Sequence, residues 1–523
     1  MKIPLKISRV IIILTAAAFL TGLCADLFAE EAKPAKKKSG GLFGWLFGKD
    51  TGLVKKGFRP SEEKEVYGLD DCIKIAMKNH VPLQIAEKNT KLAEMRLYEA
   101  GRNMLPSAEI GFEESSGKFG GRNYVGRTQY VKGQQPVFHG GELYFTVKQA
   151  EVNLDVARHD YKKIRNELIL QVKKGYYTFA KAKENLKIQS RLTEEVDRIY
   201  AMVSEQFKEG VASKLELLNV GSQGGQARYQ FVSAEGDASV AELILKQAMN
   251  LDPSEEIEIK EGLEFKKAYV DFDEVMMAAF NNRPEIKINT LLLDYYKYGK
   301  GIAKAKGWPK VDMEGRWGLA KEEYTPEDSL GPTNPGQQPP IYDVDTKLEQ
   351  QWYAGVKASM PFWGSTGEYV WTREQWTPSI STFHGTEATT SSYKMKVLDK
   401  LDYFSDKQLA EIDYDKARQE LIKAKQDVTL EAKESCFKYE KALIQLDTTM
   451  NKVRYQEKDL EFVKLKREMD EVPDSSVIES MIKLAQGEFD YVQALADCHI
   501  SLASINKAIG IEDYFKDEPN VEG

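Results

Sequence analysis

The chain repeats itself, and the spacing of the repeat limits the folds open to it. Residues 69–106 align without a gap on residues 272–309 at an offset of 203. Asp70 falls on Asp273, Ala76 on Ala279, Asn79 on Asn282 and Ala100 on Ala303, and both segments end at a proline, Pro106 and Pro309. Residues 155–251 align in the same way on residues 415–511 at an offset of 260, placing Ala157-Arg158 on Ala417-Arg418, Lys173 on Lys433 and Leu186 on Leu446. Between these blocks Pro136 meets Pro361 at an offset of 225. A length of 523 residues suggests about three or four ordinary domains. The offsets replace them with two copies of one unit, 66–262 and 263–512, followed by a tail, 513–523. The second copy holds 22 extra residues before Pro361 and 35 after it.

Each copy has the same internal order. A helix of about 35 residues runs to a proline, which has no amide to give the next turn and stops it. Alternating segments follow. Ala108, Ile110 and Phe112 alternate with Glu109, Gly111 and Glu113; Val311, Met313, Trp317 and Leu319 alternate with Asp312, Glu314, Arg316 and Gly318. Trp352, Ala354, Val356, Ala358 and Met360 alternate with Tyr353, Gly355, Lys357 and Ser359, and the stretch from Tyr124 to Val137 is a weaker fourth case. A period of two makes a strand with one apolar and one polar face, and about nine to eleven residues let a tilted strand cross a bilayer. Two hairpins separated by some 200 residues of helix make a poor soluble sandwich, because four strands are too few.

Proline-free stretches rich in Lys, Glu, Ala, Leu, Arg and Gln come next, at 141–207 and 405–471. About 65 helical residues form a rod of ~100 Å, longer than any globular domain needs, so a coiled coil is expected. A break at Gly210 or at Pro473 precedes a second, returning helix in each copy.

The N-terminus carries Lys2, Lys6 and Arg9, an apolar run from Val10 to Leu20, and small residues through Ala29. Basic head, apolar middle and small residue before a polar start describe an export signal at 1–29. Cys24 is a lipid-attachment candidate, but that motif wants a small residue where Leu23 stands. Residues 30–65 read as a basic linker around the apolar patch Leu42-Phe43-Gly44-Trp45-Leu46-Phe47, suited to a membrane surface, a partner or a free tail. Past the signal no apolar run of about 18 residues remains, which excludes helical spans and leaves a β-barrel open. A net charge of −8 argues against nucleic acid. The histidines His80, His139, His159, His384 and His499 form no HExxH, no GxSxG is present, and Gly221-Ser222-Gln223-Gly224-Gly225 lacks the lysine of a phosphate loop. Neither catalysis nor a metal or cofactor is expected. Cys72, Cys436 and Cys498 read as small apolar residues on helices, with one disulfide open to them in an oxidising compartment.

Three signatures recur in the same order in this chain: the strand end Gln135-Pro136-Val137-Phe138-His139-Gly140-Gly141, answered by Pro361-Phe362; the helix stop Leu105-Pro106-Ser107; and the turn Glu209-Gly210-Val211-Ala212-Ser213. By these the chain resembles the TolC family of outer-membrane efflux proteins over about residues 66–512. The resemblance implies an α+β fold: a tandem repeat whose long antiparallel coiled-coil helices form a periplasmic α-barrel. Two β-hairpins, four strands, go to a transmembrane β-barrel of twelve strands shared by a homotrimer. It also implies an outer-membrane channel, serving a tripartite efflux or type I secretion system with a periplasmic adaptor and an inner-membrane transporter. Pro136, Phe138, Gly140, Gly141, Pro361 and Phe362 would mark the strand–helix junction. Gly210, Val211, Ala212, Ser213 and Pro473 would form the tip that an adaptor touches.

In the family the periplasmic entrance is narrowed by acidic side chains of the second copy. Glu479 falls where the family has one gate aspartate and Ser476 where it has another, leaving Asp474 or Asp470 to supply the missing charge. One carboxylate per protomer becomes a ring of three, which favours cations. Asp470 stands where the first copy has Gly210, and Pro473 is added, so the second tip should differ in shape. The first insertion, with its prolines between Pro326 and Pro340, should be an extracellular loop. The second concentrates Trp363, Trp371, Trp376, Phe383 and Tyr393 near the barrel rim, as an interfacial girdle, a plug or packing against the helices. A non-conducting coiled-coil scaffold would explain the long helices but not four strands of bilayer length.

Overall fold

The computed structural model describes residues 65–119, 122–260, 263–324, 349–376 and 386–515. The export signal, the basic linker, the proline-rich insertion and Phe383 lie outside them. The elements run β1 (Glu65–Tyr67), α1 (Leu69–Asn79), α2 (Val81–Arg102), β2 (Ser107–Phe119), β3 (Arg122–His139), α3 (Glu142–Lys208) and α4 (Lys214–Met249). The second copy follows: β4 (Ile257–Ile259), α5 (Phe272–Asn282), α6 (Pro284–Ala305), β5 (Lys310–Tyr324), β6 (Glu349–Phe362), β7 (Ser365–Trp376), β8 (Thr386–Lys396), α7 (Asp402–Glu468) and α8 (Asp474–Ile509).

The helix expected before each proline is two helices. Pro82 sits in the first turn of α2 and Pro284 opens α6, so each starts a new helix where its missing amide costs nothing. The residues between, His80 and Arg283, are extended. Both long helices have 67 residues and both returning helices 36, each pair related by the offset of 260.

Apolar stripes hold the helices together. Leu168, Val172 and Tyr176 of α3 bury against Leu245 and Met249 of α4 and Cys72 and Ala76 of α1. Val196 and Val203 of α3 meet Val220 of α4 and Ile478 of α8, which joins the copies in one core. Val275 of α5, Tyr439 of α7 and Ile505 and Ile509 of α8 form a third cluster. β1 and β4 pair in parallel, and the Tyr176 hydroxyl donates to the Lys260 carbonyl beside them at 3.0 Å. Cys72, Cys436 and Cys498 are free thiols. Burial, foremost, pushes Cys72 up to about 11 and Cys498 up to about 12, so both stay protonated and inert.

The remaining strands form one antiparallel sheet in the order β2-β3-β5-β6-β7-β8. The four expected strands are there. The second insertion adds two more, a third hairpin continuous with the sheet: Trp371 and Trp376 lie on β7 and Tyr393 on β8, in strands rather than packed against the helices. Directly paired residues share a face. One face carries Ile110, Val131, Trp317 and Trp352 along one row and Met313, Val356 and Trp371 along another. The opposite face carries Glu109, Lys132, Arg316, Tyr353 and Glu374. No described helix is long and apolar enough to cross a membrane.

Candidate functional site

The far ends of the long helices form two turns with the same backbone. In the first, Gly210 is left-handed at φ +81°, and the Val211 amide reaches back to the Gln206 carbonyl at 2.8 Å. In the second, Asp470 is left-handed at φ +57°, and the Glu471 amide reaches back to Lys466 at 3.0 Å. These are matching helix stops of the kind glycine favours and aspartate tolerates. The expectation of a differently shaped second tip therefore fails: aspartate adopts the glycine conformation, and Pro473 holds the extended backbone that Ser213 holds before α4.

Capping is where the tips part. Ser213 caps α4 itself, its hydroxyl oxygen accepting from the Glu216 amide at 3.1 Å. Pro473 has no side chain that can cap α8. Glu216 of the other copy supplies the acceptor: the Ser475 amide donates to its Oε1 at 2.8 Å and the Ser475 hydroxyl to its Oε2 at 3.2 Å. Arg467 at the end of α7 closes the same corner, its Nε 2.7 Å from Asp474 Oδ1. Glu216, Arg467 and Ser475 escaped the sequence reading because their partners lie across the repeat or the turn. The one available signal was negative, a helix start at Pro473 with no cap of its own.

The four gate candidates are not equivalent. Asp474 is neutralised by Arg467 and mostly covered, so it is a poor substitute for a free ring charge. Ser476 belongs to the first turn of α8, its amide 3.1 Å from the Pro473 carbonyl. Glu479 is exposed, on the face of α8 opposite the buried Val477, Ile478 and Ser480, and Asp470 is exposed in the turn. Among the described residues neither Glu479 nor Asp470 has an ion-pair partner. At the adaptor-contact candidates, Val211 is 76% exposed, and Leu215 just after Ser213 is 78% exposed. Gly210, Ser213 and Pro473 are exposed beside them, while Ala212 turns partly onto the core.

At the other end, strand passes to helix. The β3–β5 register slips between Pro136 and Phe138, a bulge where proline has no amide for the ladder. His139 Nε2 lies 2.8 Å from Asp312 Oδ1, and Lys310 pairs with Glu142 at the start of α3. Gly140 and Gly141 both have positive φ, and a Cβ on Gly140 would stand 2.5 Å from Cβ of Trp308. Pro361 and Phe362 end β6, but they lead into the third hairpin instead of into a helix. A charged cavity of about 340 Å³ opens at this junction, lined by Lys306, Lys310, Lys357, Lys396, Glu142 and Glu368 among others.

Residues 76–251, inside the first copy, match the family model described as outer membrane efflux protein. No curated protein matches the sequence. In structure the chain is similar to the CmeC outer membrane channel of Campylobacter jejuni, with a TM-score of 0.66 at 14% identity over 88% of this chain and 92% of that one. It is similar to the open state of the MtrE outer membrane channel of Neisseria gonorrhoeae, with a TM-score of 0.64 at 15% identity over 85% and 89%. The outer membrane protein VceC of Vibrio cholerae gives 0.63 at 11% identity over 84% and 96%. The resemblance read from the motifs therefore stands: the first copy carries the sequence signature of the outer membrane efflux proteins, and both copies have the fold of these channels.

Proposed function

We propose that the chain is the exit duct of a tripartite efflux or type I secretion system, working as a homotrimer in the outer membrane with a large periplasmic portion. The observation that supports this most is the union of two parts. A two-faced antiparallel sheet, with strands of bilayer length, continues directly into helical rods of ~100 Å. A sheet with an apolar outer band and a charged inner face suits a water-filled barrel, and the rods suit a tunnel beneath it. Free sheet edges and long amphipathic helices both require further copies of the chain.

In this reading the exposed apolar residues Val211 and Leu215 at the tip receive a periplasmic adaptor, which couples the duct to an inner-membrane transporter. Glu479 supplies the charge ring at the entrance, three carboxylates facing one axis. The experiment is single-channel recording of the purified trimer in a planar bilayer. The wild type is expected to conduct with a preference for cations, and Glu479→Ala to weaken that preference. No current, together with absence of the protein from the outer-membrane fraction, would sink the duct reading. Unchanged selectivity in the mutant would sink the assignment of Glu479 alone.

A further inference from the structure

The third hairpin occupies a consequential place. β6 lies inside the sheet, paired with β5 on one side and, from Trp352↔Gln375 to Phe362↔Ser365, with β7 on the other. Both of its edges are taken. Among the described residues the open edges of the sheet belong to β2 and β8. We propose that copies of this chain join β8 to β2, so that a trimer closes a barrel of eighteen strands instead of the twelve the family resemblance implies. The inference rests on the channel reading above and changes its bore: diameter grows about linearly with strand number, so the opening through the membrane is about 1.5-fold wider.

Four observations carry it. First, β7 and β8 span 12 and 11 residues, the length a tilted strand needs to cross a bilayer. Second, at the end nearer the helices they continue the two faces of the other strands, while farther along the apolar face gives way to the ion pair of Arg373 with Glu387 and to Gln375. Tyr369, Trp371, Tyr393 and Met395 extend the apolar face, with the Tyr369 and Tyr393 rings 4.7 Å apart. Glu368 extends the polar face and bridges Lys357 of β6 and Lys396 of β8 at 3.3 Å each. A plug folded away from the wall would not keep an unbroken ladder to β6 from Trp352↔Gln375 to Phe362↔Ser365.

Third, the hairpin is fastened at its base. Trp363 and Gly364 make a two-residue turn with φ of +48° and +75°, whose twist suits paired strands. The Gly364 carbonyl accepts from the Lys400 amide at 2.9 Å, and the Ser365 hydroxyl oxygen accepts from the Leu398 amide at 3.0 Å. The Trp352 indole N–H donates to Gln375 Oε1 at 2.7 Å across β6 and β7. Fourth, the edges fit each other. β2 runs away from the helices and β8 runs back toward them, so they meet antiparallel like every other pair in the sheet. In hydrocarbon every backbone amide and carbonyl on those edges must find a partner, and a second copy supplies it.

Cysteine cross-linking in the outer membrane tests this. The three native cysteines of the described chain remain, and the wild type serves as the background control. Double variants place one cysteine on β8 (Thr389→Cys, Ser391→Cys or Tyr393→Cys) and one on β2 (Ala108→Cys, Ile110→Cys or Phe112→Cys). A parallel set replaces the β8 member with Ala354→Cys, Val356→Cys or Ala358→Cys on β6. Ala358→Cys with Tyr369→Cys, opposite each other within one chain, reports that oxidation works and that the hairpin is in place. The expected result is a ladder at two and three times the monomer mass for β8–β2 pairs and none for β6–β2 pairs. Ladders from β6–β2 pairs would overturn the inference, because β6 would then be the joining edge and the third hairpin would lie off the wall. A trimer in the outer membrane with no β8–β2 ladder would overturn it as well. A protein that is neither trimeric nor in the outer membrane would instead overturn the channel reading beneath it.

Discussion

The two copies agree where a helix has to be long and disagree where sheet passes to helix and where one short helix hands over to the next. Every helix of the first copy has a counterpart of the same length in the second, down to the 67 residues of α3 and α7. The corner from sheet to long helix is solved twice in different ways. The first copy bends through Gly140 and Gly141; the second interposes a hairpin and enters α7 through Leu398 at φ +57°, with Leu401 as the residue before the helix. The same division holds at the start of α2 and α6. His80 caps α2 with its ring, Nδ1 accepting from the Leu83 amide at 3.3 Å, whereas Arg283 at the matching position is buried in an ion cluster. Duplication thus preserved the rods, whose packing is periodic, and left the corners to be rebuilt by whatever side chains met there.

The sharpest break is expected at the corner of the first copy. In Gly140→Ala the new Cβ would press on Cβ of Trp308 at 2.5 Å and on the Ala305 carbonyl at 2.9 Å, in a left-handed conformation. Strain and overpacking together should cost about 3–4 kcal/mol, read as a lower midpoint in chemical denaturation of the detergent-solubilised protein. Gly364→Ala in the second copy meets only the end of the Leu401 side chain and should cost less. Equal losses would mean that the two corners are not built differently.

Next comes the pair at positions 80 and 283. Arg283 donates to Glu285 at 2.8 Å and to the Lys507 carbonyl at 2.8 Å, and it pairs with Glu431, which also holds Lys507 at 2.5 Å. Arg283→Ala should cost about 3 kcal/mol, the lower end for a broken buried pair because Glu431 keeps Lys507. His80→Ala should cost about 1 kcal/mol or less, as the loss of a cap does. The penalty of Arg283→Ala should also depend on pH. Burial pushes the Glu431 carboxyl up, but Lys507 and Arg283 outweigh it and hold it below its ordinary value of 4.5. A depressed carboxylate contributes stability that is whole above that value and is lost as pH falls through its folded-state value. The gap between wild type and mutant should therefore narrow between roughly pH 6 and pH 3. A constant gap would show that Glu431 does not feel the guanidinium.

What could be read from the sequence follows the same division. The helices were legible because each is written twice, and the offsets locate their counterparts to the residue. The third hairpin was not, because it has no counterpart in the first copy and its own alternation is faint. Tyr369 and Trp371 give way to Arg373 and Gln375, and β8 is largely threonine and serine. The helix break before Pro82 and Pro284 is written in the proline positions, since proline fits the first turn of a helix better than its interior. At the tip, Gly210 and Pro473 stand out as the breaks between the two helices of each copy, whereas Glu479 comes from the family resemblance alone. The bond from Glu216 to Ser475 was not, since it joins residues 259 apart that no local pattern relates.

The tips offer the finest comparison, because their backbones agree and only side chains differ. Removing the shared corner comes first: Glu216→Ala strips α8 of the acceptor that Pro473 cannot supply and should cost about 1 kcal/mol, while Ser213→Ala removes the matching cap of α4 for a similar loss. A null effect of Glu216→Ala would mean that water caps α8 and that the tips are not tied. The smallest effect is expected at the left-handed positions themselves. A Cβ at Gly210 would meet nothing within 4 Å, so Gly210→Ala should lose only the conformational term, about 1 kcal/mol. Asp470→Gly runs the opposite way: the φ of +57° is relieved, at the cost of a looser unfolded chain, and the balance should be a gain of ~0.5 kcal/mol or less. If Asp470→Gly were instead clearly destabilising, its carboxylate would be holding the second tip in a way the first tip does not need, and the likeness of the two turns would end at their backbones.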